Sequence, residues 1–130
     1  MALTIRALKP GSGFAGEATD VDLWHPENDQ DFDAIRDAFH HYAVVVFRDQ
    51  DINDEQQVAF SERFGGLECS LGFDQYGGVT LPQISRIANV GDGDKIWPHD
   101  HEKSRYHRGN SLWHTGSSFK PVPASASHLS

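Results

Sequence analysis

The chain has 130 residues and a formal net charge of −8, from 19 acidic against 11 basic side chains. Hydrophobic residues make up 38% and aromatics 11%, enough for one packed domain and too much for wholesale disorder. The acidic balance excludes a general nucleic-acid binder, which needs a basic surface to displace counterions from phosphate.

Ala2 to Leu8 is expected to form a strand that Pro10-Gly11 stops, and Lys9-Pro10-Gly11 comes too early for a signal-peptide core. Gly11-Ser12-Gly13-Phe14-Ala15-Gly16 has the spacing of a dinucleotide loop, but it precedes a strand instead of opening a helix, so that function is excluded. Ala18 to Leu23 alternates as a second strand. Phe32, Ile35, Phe39 and Tyr42 then recur at three- and four-residue spacing, which predicts an amphipathic helix with Asp29 as N-cap. His40-His41 suits the negative end of that helix.

Val44 to Phe47 is β-branched and compact, a buried strand followed by the turn Arg48 to Asp51. The apolar run Ala43 to Phe47 is far too short to cross a bilayer, so no membrane association is expected. Asn53 with Gln56 three residues on makes a capping box for a second helix. Val58, Ala59, Phe60 and Phe64 supply its buried stripe, and Gly65-Gly66 ends it in a left-handed cap. The single cysteine, Cys69, has no intrachain partner and fits a reducing, cytoplasmic location. Gln83 to Val90 is expected to be a strand, Gly91 to Asp94 a turn, and Lys95 to Ser111 an exposed polar loop. Leu112-Trp113-His114 resumes an apolar strand, and after Pro121 and Pro123 the tail Ala124 to Leu129 alternates like another. The expected class is mixed α/β (α+β), mainly β. These strands are too few to close a barrel or sandwich.

Eight histidines are many for this length. His99-Asp100-His101, with Glu102 and His107 nearby, has metal-binding residue types, but its place in a polar loop favours a solvated surface. A lone histidine beside tryptophan, as in Trp113-His114, is likewise more often packed or exposed than a ligand.

The surrounding residues change that balance. Gly109-Asn110-Ser111-Leu112-Trp113-His114-Thr115-Gly116-Ser117-Ser118-Phe119 closely resembles the N-x-x-W-H-[ST]-D-x-[ST]-F stretch of the TauD/TfdA family of Fe(II)/2-oxoglutarate-dependent dioxygenases. Three further segments are similar in the same order: Gly16 to Leu23, Tyr42 to Gln50, and Gln57 to Glu68. Ile87 to Val90 and Pro121 to Ala124 look closer to the phenoxyacetate branch than to the taurine branch. Ser70 and Phe73 differ from the taurine branch's polar sulfonate site.

The resemblance implies a double-stranded β-helix, or jelly roll, with flanking helices. It also implies Fe(II), 2-oxoglutarate and O2 acting on a small anionic substrate, with an oligomeric assembly left open. His114 is the implied iron ligand, and Asn110 matches a residue near the substrate. The expected aspartate two positions on, which would share the His114 side of a strand, is replaced by Gly116. Gly116 then signals a defective metal site, a site completed by water or another carboxylate, or a halogenase-like site with chloride in the vacated position. Family chains run to about twice this length, so residues 1–130 are expected to be one incomplete domain, its N-terminal half. The distal histidine and the 2-oxoglutarate-binding arginine are not assignable, and His128 lies too near His114 to be that histidine. A non-catalytic remnant or interaction module is the alternative from a different class.

Overall fold

A computed structural model of the chain describes residues 3–23, 29–69, 81–85, 87–91, 93, 95–118 and 120–130. Contacts divide it into Met1–Gly66 with Ser130, and Leu67–Leu129.

The first unit is built on a three-stranded sheet in the order β1-β2-β3. β1 (Thr4–Ala7) pairs antiparallel with β2 (Gly16–Thr19), and β2 pairs parallel with β3 (Val45–Phe47). A parallel pair needs a crossover, which α1 (Asp29–Tyr42) supplies. Asp29 is the first residue of that helix and not the cap before it. The predicted three- and four-residue stripe is present: Phe32, Ile35 and Ala38 are buried, and Phe39 and Tyr42 half-buried. The second strand lies earlier than Ala18 to Leu23, because register with Val45 to Phe47 selects Gly16 to Ala18.

Alternation along β2 puts Gly16 and Ala18 on one face and Glu17 on the other. On the α1 side, a Cβ at Gly16 would sit 2.5 Å from Tyr42 Cδ2, so only glycine allows this approach. α2 (Asp54–Glu62) starts with the predicted capping box: the Asn53 side chain accepts from Gln56 N, and the Gln56 side chain accepts from Asn53 N. Phe60 and Phe64 join Phe32 in edge-to-face contacts with centroids 4.9 to 6.3 Å apart. Phe47 meets Phe60, Phe39 meets Phe64, and Arg63 lies 4.1 Å above the Phe32 ring. The expected stripe is not fully buried: Val58, Phe60 and Phe64 are half-buried and Ala59 is exposed. Gly65 takes φ +140°, outside the usual left-handed helical cap.

The second unit departs further from the sequence expectations. Among the described residues, Gln83 to Val90 contributes only the Val90–Ile96 bridge, and neither Leu112 to His114 nor Ala124 to Leu129 is a strand. β-propensity marks such segments, but a strand forms only where a neighbour takes up its N–H and C=O groups. The supposed loop Lys95 to Ser111 instead contains α3 (Glu102–Arg108), followed by a 3-10 turn, Gly109–Ser111. The class is therefore mixed α/β, but its weight does not lie on β: the described helices outlast the three short strands. Gly93 turns with φ +70°, while Asp92 and Asp94 of the expected turn, and Ser70 and Phe73, lie outside the described residues.

Candidate functional site

His114 stands between two turns. Upstream, the 3-10 turn holds Asn110, and Leu112 N donates to Gly109 O at 3.1 Å. Downstream, Thr115 Oγ1 and Ser118 Oγ are 2.6 Å apart, and Ser117 adopts φ +46°. Its carbonyl accepts from Lys120 N at 2.9 Å and its Oγ from Ala124 N at 2.8 Å. Lys120 Nζ pairs with Glu68 at 2.9 Å, fixing this turn to the start of the unit.

The imidazole itself is exposed, with Nδ1 2.8 Å from the carbonyl oxygen of Leu112. A carbonyl only accepts, so in the neutral ring Nδ1 carries the hydrogen and Nε2 keeps its lone pair. That is the tautomer in which a metal-binding histidine is held by a neighbouring carbonyl. Two positions on, Gly116 offers no donor, and an added Cβ there would meet nothing within 4 Å.

Among the described residues no three of His, Cys, Asp and Glu gather as a metal-binding set. His99, Asp100 and His101 remain an exposed surface group, as expected, with Glu102 and His107 in the adjoining helix. His128 is half-buried, and burial lowers its pKa from the ordinary 6.5, favouring the neutral ring. The described residues thus do not fit a complete ferrous centre.

The other expected motif segments are spent on the framework. Glu17 Oε1 accepts from Arg48 Nε at 2.6 Å, and Oε2 from Arg6 Nη2 at 2.9 Å. Arg48 first and Arg6 second hold the Glu17 carboxyl below the ordinary carboxylate pKa. Gln50 Oε1 accepts from Leu23 N, while its Nε2 donates to Val21 O and Arg48 O. The Arg48-Asp49-Gln50 turn, which follows β3, therefore ties that strand to β2 and to Val21 to Leu23 beyond it. The sequence marks this stretch as a turn and, by resemblance, as the end of a family motif, but not as a tether. The spacing of an arginine and a glutamine with a lone glutamate in β2 was the available signal.

The family model for taurine catabolism dioxygenase TauD and the TfdA family matches residues 4–130. This chain belongs to the TauD/TfdA family. It is 31% identical over 121 residues to the alpha-ketoglutarate-dependent 2,4-dichlorophenoxyacetate dioxygenase of Cupriavidus pinatubonensis, covering 90% of this chain and 42% of that protein. A (S)-phenoxypropionate/alpha-ketoglutarate-dioxygenase of Delftia acidovorans is 27% identical, covering 95% and 40%. Among solved structures, AAD-2 in complex with Mn(II) and N-oxalylglycine superposes with a TM-score of 0.76 at 35% identity, covering 95% of this chain and 40% of that one. The chain thus spans about two fifths of the length of these TauD/TfdA relatives.

Proposed function

We propose that this chain is the histidine-bearing part of a TauD/TfdA dioxygenase and that, taken alone, it is non-catalytic. The overall reaction oxidises 2-oxoglutarate to succinate and CO2 while O2 also hydroxylates a small organic anion. Fe(II) would supply the oxygen chemistry, with His114 as one of its ligands and Asn110 near the substrate. The family match over residues 4–130 and the names of the relatives support this reading. Aryloxy carboxylates are the first substrates to test, because two of those relatives are named for them. The accompanying architecture is the double-stranded β-helix, with residues 1–130 as its N-terminal part. A cytoplasmic location agrees with the lone Cys69, and no described helix is long and apolar enough to cross a membrane.

The non-catalytic half of the proposal is carried by Gly116, which leaves His114 without the carboxylate a facial site needs. Purified chain incubated with Fe(II), 2-oxoglutarate, ascorbate and 2,4-dichlorophenoxyacetate is expected to form no succinate above a protein-free control. Iron-dependent succinate would overturn that half. In a chain extended with the remainder of the Cupriavidus relative, Gly116→Asp is expected to establish turnover. Chloride-dependent activity of the glycine form would point to a halogenase-like site instead.

A further inference from the structure

Residues 95–120 hold five Lys or Arg against two Asp or Glu, whereas the rest of the chain holds six against seventeen. Within this basic stretch, Trp97 is held beside the Val90–Ile96 bridge. Trp97 N donates to Asn89 O at 2.9 Å, Gly91 N donates to Lys95 O at 2.8 Å, and a Cβ at Gly91 would collide with the indole. His101 stacks on Trp97 with centroids 5.3 Å apart and planes 12° from parallel, and Lys103 Nζ lies 4.3 Å from the indole centroid.

At the end of α3, Arg108 Nη1 lies 3.0 and 2.7 Å from the two ring nitrogens of His99. A guanidinium only donates, and the ion pairs among the described residues do not include Arg108. Two basic groups thus stand together six residues before His114, and among the described residues neither is ion-paired to a carboxylate. A planar guanidinium fork is suited to a carboxylate, and the neighbouring stacked rings to an aromatic body.

We infer that Arg108 and His99, beside the Trp97–His101 stack, form a recognition point for the carboxylate of an aromatic acid. The inference deepens the proposed function and rests on its assignment of a small organic anion as substrate.

The test needs neither iron nor 2-oxoglutarate. The intact chain is titrated with phenoxyacetate, followed by tryptophan fluorescence, with phenoxyethanol as the uncharged counterpart. Saturable phenoxyacetate binding is expected, about tenfold or more tighter than phenoxyethanol and weakened about tenfold by Arg108→Ala. Arg108→Lys should recover part of the loss. Equal binding of phenoxyethanol by the unmodified chain would overturn the inference, whatever the variants do to folding. So would unchanged affinity in Arg108→Ala, equal competition by inorganic phosphate, or no binding up to about 10 mM. Such a failure alongside succinate formation by the extended Gly116→Asp chain would remove this recognition point and leave the dioxygenase reading standing.

Discussion

Phe32 in the first unit and Trp113 in the second are both large aromatics in motif-bearing segments, yet Phe32 is 5% exposed and Trp113 106%. Phe32 of α1 is enclosed because Phe60 of α2 and Phe64 just beyond it turn edge-to-face toward it, with Phe47 of β3 packed on Phe60. Trp113 follows a 3-10 turn and has no strand partner among the described residues, and Leu112 and Trp113 both face water. Apolar character alone does not bury a side chain; a second element must arrive to cover it. The first unit has such elements, and the second presents its chemistry-bearing residues on hydrogen-bonded turns.

Truncation is the strongest way to break this contrast. Phe32→Ala should cost about 3–5 kcal/mol in denaturant unfolding, through lost burial and the cavity left behind. Trp113→Ala should stay within about 0.5 kcal/mol. Similar losses for the two variants would contradict the difference between the units. A smaller effect is expected at the contact of sheet and helix. Gly16→Ala forces a methyl against Tyr42 and should cost about 1–3 kcal/mol by overpacking, read from the same unfolding curves.

Glu17 sharpens the comparison through pH. Its folded pKa is lowered by Arg48 and Arg6, so its stabilisation is fully present above its ordinary value of 4.5 and is lost as pH falls through the lowered value. Glu17→Gln should flatten the acid limb of a stability-against-pH profile. An unchanged limb would mean that the two arginines do not act through this carboxyl.

Local interactions were the legible part of the sequence. The α1 stripe and the Asn53–Gln56 box depend on residues three and four apart, and both were found where spacing placed them. β2 begins two residues before the alternating stretch Ala18 to Leu23, because its limits come from pairing with Thr4 to Ala7 and Val45 to Phe47, which no local pattern records. α3 leaves no such trace, because Glu102 to Arg108 is polar and short, with too few apolar residues to show a helical period. At the proposed site, the Trp113-His114 motif and the glycine at position 116 are legible through the family resemblance. The turn that holds Nδ1 of His114, and the meeting of Arg108 with His99, are not, since each depends on backbone bends.

The central proposal is that His114 is a metal ligand and that its partner position, Gly116, offers no donor. Titration of Mn(II) into the chain, its Gly116→Asp variant and the Gly116→Asp, His114→Ala double variant tests it most directly. The account predicts that the aspartate tightens Mn(II) binding by about tenfold or more and that removing His114 abolishes the gain. Equal Mn(II) affinity of the glycine and aspartate forms, or a gain that survives His114→Ala, would contradict it.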